Sequence, residues 1–159
     1  MYSNDLICDI LIYINENIYS KISIDDLEKR FFYNRFYIMK LFKKEINLTI
    51  VDYINKIRIY NSLKLMKNNN YSLLKISLKS GFYSLEYFSE TFKKIMGFKP
   101  LVVKKYLQNN SNISDTNMFK VRISINKLYE TNNIMTNYLS KRKPKNRPVK
   151  SLSKFSNIF

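Results

Sequence analysis

The chain has 159 residues, with 28 Lys and Arg against 12 Asp and Glu, a net charge of +16 and a pI near 9.8. That length allows one domain or two very small ones, and 45% hydrophobic and 15% aromatic residues can fill a core. With no His and only Cys8, disulfides, His/Cys zinc sites and Cys–His catalysis are excluded within one chain. The charge points first to nucleic acid and second to an anionic membrane surface. It is unevenly spread: residues 1–108 carry 18 basic and 10 acidic side chains, residues 109–159 carry 10 and 2. The chain lacks Ala and Trp and is rich in Ile, Lys, Asn, Tyr and Phe, so placement says more than frequency.

The opening "MYSNDLICDILIYIN" lacks the basic start of a signal peptide, and Asp5 and Asp9 interrupt its apolar run. No stretch is long enough to cross a bilayer, so a soluble cytoplasmic protein is expected, with no membrane partner. Residues 5–18 place Ile7, Ile10, Leu11, Ile14 and Ile18 at helical spacing, with Cys8 as a small buried hydrophobe. Ser23 is a predicted N-cap for "IDDLEKRFF", with Asp25 and Asp26 in the first turn, where the helix dipole favours acids. Asn34 caps a helix whose apolar face is Ile38, Leu41, Phe42 and Ile46, and Asn47 stops it in the left-handed region. Thr49 caps a long helix to about Lys67, "NNN" at 68–70 breaks it, and Ser72 opens another through Lys79. Gly81 marks a turn, Ser84 caps a helix through Met96, Gly97 ends it, and Pro100 lies in the first turn of a short last helix. The reading is all-α: a seven-helix domain over residues 1–107, followed by a basic, mostly irregular extension over 108–159.

Residues 27–49 and 76–100 form an internal repeat. Each has a short helix, a tight turn, a longer helix and the triplet Phe-Lys-Lys near its end. Both fit helix-turn-helix geometry. The helix at 49–67 between them is about 28 Å long at 1.5 Å per residue, comparable with the ~34 Å between successive major-groove faces. One monomer can then read two adjacent groove segments of double-stranded DNA. The large aromatics Tyr37, Phe42, Phe82, Phe88, Phe92 and Phe98 are read as core.

Gly81-Phe82, Tyr87-Phe88-Ser89, Phe92-Lys93-Lys94, Gly97 and Pro100 form a multi-point pattern. With Tyr37, Leu41 to Glu45, and Arg58, it resembles the DNA-binding domain of AraC/XylS-type transcription regulators over about residues 5–107. That resemblance implies a sequence-specific regulator, an activator that recruits RNA polymerase, with no enzymatic activity and no cofactor. It implies base-facing positions at Arg35, Phe36, Met39 and Lys40 in the first unit, and at Leu85, Glu86 and Glu90 in the second. Arg35 and Lys40 suit guanine acceptors or phosphate, while Phe36 and Met39 can meet a thymine methyl. Lys43, Lys44, Lys93 and Lys94 are candidates either for phosphate contact or for solvated helix ends. The favoured reading of Glu86 is an acid stabilising a helix N-terminus. Departures from the family pattern fall at Glu28, Ser62 and Ser77, where a small Ala is usual, at Asn47 for Gly, and at Glu90 for Arg. Glu28 suggests a looser first unit.

In the tail, "NNSNISDTN" reads as a linker, and "FKVRISI" alternates like a strand, which suggests an extended or locally docked segment. "KRKPKNRPVK" at 141–150 is a basic, proline-broken run expected to be disordered and to add phosphate contacts. The sensor domain that many larger members of the resembled family carry is not expected within these 159 residues, and the implied expectation is control by abundance or by a partner protein. The rival reading is a basic nucleoid-coating or RNA-binding protein with a degenerate second helix-turn-helix.

Overall fold

In the computed structural model, which describes residues 3–108 and 116–141, helices begin where a short polar side chain takes over an orphan backbone N–H. Ser23 Oγ accepts from Asp26 N (3.2 Å) while the Asp26 carboxylate accepts from Ser23 N (2.8 Å), a reciprocal box that opens α2 (Ile24–Phe31). The Ser23 hydroxyl also donates to the Asp26 carboxylate (2.7 Å), and this side-chain bond, then that from the Ser23 backbone, holds Asp26 below the usual carboxylate range. Asn34 opens α3 (Arg35–Ile46), Thr49 opens α4 (Ile50–Met66), Ser72 opens α5 (Leu73–Lys79) and Ser84 opens α6 (Leu85–Met96). Pro100 begins α7 (Pro100–Gln108), and α1 (Ser3–Glu16) precedes them all. Asn47 (φ 60°) and Gly97 (φ 76°) close α3 and α6 in the left-handed region, freeing the chain to turn.

Two apolar clusters form the interior. The first gathers Ile7, Ile10, Leu11 and Ile14 of α1 with Leu27, Ile38, Phe42 and Ile46 of α2 and α3. Cys8 is buried with them. In the second, Ile76, Phe82, Phe88, Phe92, Met96 and Val103 pack together, and Phe88 meets both Phe82 (5.2 Å between ring centres) and Phe92 (5.5 Å) edge-on. The central helix joins the clusters, giving Ile50, Tyr53, Ile54 and Ile57 to the first and Ile59, Tyr60, Leu63 and Met66 to the second. This two-sided burial explains why α4 shows little amphipathic pattern. The core reading holds for Phe42, Phe82, Phe88 and Phe92, with Phe98 partly buried, but not for Tyr37, which is 44% exposed and stacks on Tyr33 at 5.5 Å.

Residues 116–141 correct the irregular tail: they form an eighth helix, α8 (Thr116–Lys141). Val121, Ile125 and Leu128, at helical spacing, enter the second cluster, and Tyr138 packs on the first. Ile123, which the strand reading placed beside Val121 and Ile125, is exposed. A lone strand leaves its backbone groups without partners, whereas a helix satisfies its own and still buries one face. Roughly 1.5–3 kcal/mol for each buried aliphatic side chain then ties α8 to the domain. Residues 109–115 of the linker and 142–150 of the basic run lie outside the described residues.

Arg58 holds the two units together. Its Nε donates to the Ile18 carbonyl (2.8 Å) and an Nη to the Ser20 carbonyl (2.7 Å), while its guanidinium lies 5.9 Å from the centre of the Phe82 ring. Burial pulls its pKa down, opposed by Tyr83 and Tyr87. Gly81 fills the remaining space. At φ 90° its backbone lies so near the first unit that a Cβ would sit 2.7 Å from the Ile18 carbonyl oxygen and 2.9 Å from Arg58 Nε.

Candidate nucleic-acid interface

Alternation of buried and exposed positions along α3 and α6 places the side chains that can meet a groove. Ile38, Leu41, Phe42 and Ile46 point inward from α3, and Phe88, Thr91, Phe92 and Met96, each fifty positions later, point inward from α6. The outward stripes correspond in the same way: Phe36, Met39, Lys40 and Lys43 on α3, and Glu86, Ser89, Glu90 and Lys93 on α6. The scaffold is therefore repeated, and the chemistry it presents is repeated only at Lys43 and Lys93.

On α3, Phe36 is 73% exposed and Met39 50%, with Lys40, Lys43 and Lys44 exposed beside them. Lys43 Nζ donates to the Asn47 carbonyl (3.3 Å), steadying the helix end, with its charge still at the surface. Beside Met39, an apolar hollow of about 520 Å³ runs between α3 and the start of α4, with Lys40 and Lys43 on its rim.

Arg35 differs from the other outward residues of α3. Its guanidinium reaches Asp25 Oδ1 at 2.8 Å and Glu28 Oε2 at 2.9 Å, with Nε on Glu28 Oε2 at 3.1 Å, and its backbone N–H donates to Glu28 Oε1 at 3.1 Å. Glu28 thus caps α3 and clamps its first side chain, drawing the two helices of the first unit together rather than loosening them. The backbone hydrogen bond from Arg35, then its side-chain bond, pulls the Glu28 carboxyl below the usual range, and the same pairing raises Arg35. At the matching place in the second unit, Ser77 is buried and donates to the Leu74 carbonyl at 2.8 Å.

The α6 stripe is acidic. Glu86 stands exposed in the first turn, and Glu90 one turn later. Leu85 is half-buried against the second cluster. Glu90 borders a hollow of about 260 Å³ between α4 and α6, shared with Asp52, Lys56, Tyr87 and Lys94. Tyr87 Oη accepts from Asn55 Nδ2 at 2.9 Å across it. Past Lys56 and Lys94 the hollow continues into one of about 540 Å³ walled by Ser124, Lys127 and Leu128 of α8. Lys94 and Lys93 are both exposed near the end of α6.

Sequence reasoning missed two further groups. Phe32 is 92% exposed in the left-handed region (φ 59°), and Tyr33 beside it stacks on Tyr37. Phe32 holds the turn that Gly81 holds in the second unit, and the spacing of 49 residues between them was the available signal. A side chain fits there because the first turn faces solvent, whereas the second faces Ile18 and Arg58. Lys56 was passed over because a helix buried from both ends gives no period that marks its outward positions. No described helix is long and apolar enough to cross a membrane.

Comparisons with known proteins agree with this geometry. A family model described as a helix-turn-helix domain matches residues 27–106, which include both units. The HTH-type transcriptional activator AarP of Providencia stuartii is 27% identical over 99 residues, covering 62% of this chain and 73% of its own. The Msm operon regulatory protein of Streptococcus mutans is 35% identical over 91 residues, 57% of this chain but 33% of its own length. Among solved structures, a Listeria innocua protein of unknown function superposes with a TM-score of 0.58 at 31% identity, covering 61% of this chain and 92% of that one. With its tandem units and the Gly81 to Pro100 pattern, the chain belongs to the helix-turn-helix domain family, as a DNA-binding transcription regulator of the AraC type.

Proposed function

We propose that the protein binds double-stranded DNA as a monomer, with α3 and α6 entering adjacent major-groove segments, and that it activates transcription through contact with RNA polymerase. The observation that carries this reading is the fifty-residue correspondence of the two outward stripes on either side of α4. The 17 residues of α4 span about 25 Å, which suits a repeat of roughly one helical turn of DNA. Phosphate contacts fall to Lys43, Lys44, Lys93 and Lys94, joined by Lys56. They supply most of the affinity, while the α3 stripe supplies most of the sequence discrimination. The name of AarP as an activator favours the same sign of regulation here.

Selection from a random duplex library, followed by sedimentation of the complex, tests the binding reading. Two conserved blocks about one turn apart with one protein per duplex are expected. A flat salt response with no enriched motif overturns it. Glu90→Ala is expected to leave affinity unchanged or raise it, because it removes a charge that phosphate repels; weakening would show the carboxylate holding a base, with cytosine N4 the available donor. Run-off transcription from a promoter carrying the selected site, with and without the protein, tests activation, and unchanged transcript yield refutes it.

A further inference from the structure

Resting on that reading, we infer that the first recognition helix identifies a thymine-rich block through its 5-methyl groups rather than guanine through an arginine fork. Bidentate guanine recognition uses a fork of two neighbouring guanidinium nitrogens, both of them free. The Arg35 guanidinium instead commits its Nε and one Nη to Glu28 and Asp25, which leaves a single Nη and no fork to present. Leaving those carboxylates would strand two acids at the mouth of the groove, facing phosphate. What remains at the front of α3 is apolar: Phe36, Met39 and, from the preceding turn, Phe32, three large side chains exposed to solvent with no core to cover them. Tyr33 stacked on Tyr37 braces the turn that carries them.

Base edges in the major groove offer one apolar group, the thymine methyl, and apolar side chains recognise it by excluding water. Exposed apolar surface can also mark a protein contact. DNA is favoured here because Phe36 and Met39 share their stripe with Lys40 and Lys43, exposed cations of the sign that phosphate attracts. The α6 stripe repeats the geometry without the apolar pair, so the methyl preference belongs to one block only.

Replacing dT by dU removes the methyl and leaves the pairing and the O4 acceptor intact. Each position of the selected site is replaced in turn and its affinity for the full chain measured. Loss of one contacted methyl, equivalent to about one buried CH₂, is expected to weaken binding about fourfold within the α3 block and not within the α6 block. Phe36→Ala and Met39→Ala, at exposed positions and checked for an unchanged Tm, are expected to bind dT and dU alike. Arg35→Lys is expected to keep the methyl preference. A selected α3 block rich in G·C, or one tolerant of dU throughout, overturns the inference while leaving sequence-specific binding intact. Unchanged affinity of Phe36→Ala for the selected site also overturns it and assigns the apolar tip to a protein partner. Absence of any enriched motif overturns both this inference and the reading on which it rests.

Discussion

Gly81 and Gly97 make a matched pair for testing how the two units are joined. Both have positive φ (90° and 76°), so alanine at either would cost about 1 kcal/mol or a little more from its Cβ against the backbone. They differ in what that Cβ would meet. At Gly97 nothing lies within 4 Å, whereas at Gly81 the Ile18 carbonyl oxygen would be 2.7 Å away, Arg58 Nε 2.9 Å and Tyr19 Cα 3.0 Å. Two of these are backbone atoms, and Arg58 is fixed by its bonds to the Ile18 and Ser20 carbonyls, so nothing can move aside cheaply. Overpacking of this kind costs roughly 1–3 kcal/mol in addition. Gly81→Ala should therefore lose about 3 kcal/mol and Gly97→Ala about 1 kcal/mol, measured as urea midpoints at constant m. For a chain of this size the corresponding falls in Tm are about 10 °C and about 4 °C. Equal losses would refute the reasoning, since they would mean that only the turn conformation matters and that the units are not pressed together at Gly81.

Leu128 is 3% exposed, so Leu128→Ala should cost about 2–4 kcal/mol by leaving a cavity under α8; no change in the urea midpoint would mean that α8 adds nothing to the fold. Lys56→Gln and Lys94→Gln should each lower the slope of log K against log salt by about 0.9 without changing the selected motif, and a shift in motif would count against a phosphate role. Stability should fall on acidification below about pH 4, because Asp26 and Glu28 both have lowered carboxyl pKa values when folded. Their contribution is complete above the unfolded-state value near 4 and disappears as pH falls through the folded one. Glu28→Gln should flatten that acid limb in urea midpoints measured from pH 2.5 to 6, and an unaltered limb would refute the Glu28 share. At the alkaline end, burial raises the Tyr53 hydroxyl against the partly opposing bond from Asn15 Nδ2 (3.0 Å), so that stability is present below about pH 10 and drains away above it. Tyr53→Phe should lessen that alkaline loss.

Capping residues were legible because their physics is local. Ser23, Asn34, Thr49, Ser72 and Ser84 each accept from an N–H two or three residues away, a spacing that a sequence displays directly. Arg35 was not legible in the same way. Its spacing of seven from Glu28 crosses a turn, and only the angle between α2 and α3 decides that the two side chains converge. An arginine at the front of a recognition helix invites a role in base reading, and the unusual Glu28 gains its sense only as that arginine's partner. The eighth helix was hidden for a different reason. Val121 and Ile125 satisfy both an alternating and a helical period, and the deciding contacts lie with α4 and α6, far away in the chain. Tyr37 was misjudged as core because its aromatic body hides what the fold leaves open.

The asymmetry between the two units follows from where each kind of constraint acts. Ile38 with Phe88, Phe42 with Phe92 and Ile46 with Met96 occupy equivalent buried places, where close packing restricts exchange to other apolar side chains. Phe36 with Glu86 and Lys40 with Glu90 occupy equivalent exposed places, where packing permits opposite chemistries. A groove approached by Glu86 and Glu90 meets phosphate repulsion, which Lys93 and Lys94 offset from the other end of the same helix. The second unit is thus suited to hold a position on the duplex, with α4, α8 and Arg58 fixing its distance from the first. On the proposed reading, sequence preference concentrates at Phe36, Met39 and Lys40, and the clamp on Arg35 sets what kind of preference it is. Freeing that arginine by Glu28→Gln together with Asp25→Asn should move the first block from thymine toward guanine in a library selection. An unmoved motif would show that the carboxylates clamp the helix without shaping what it reads.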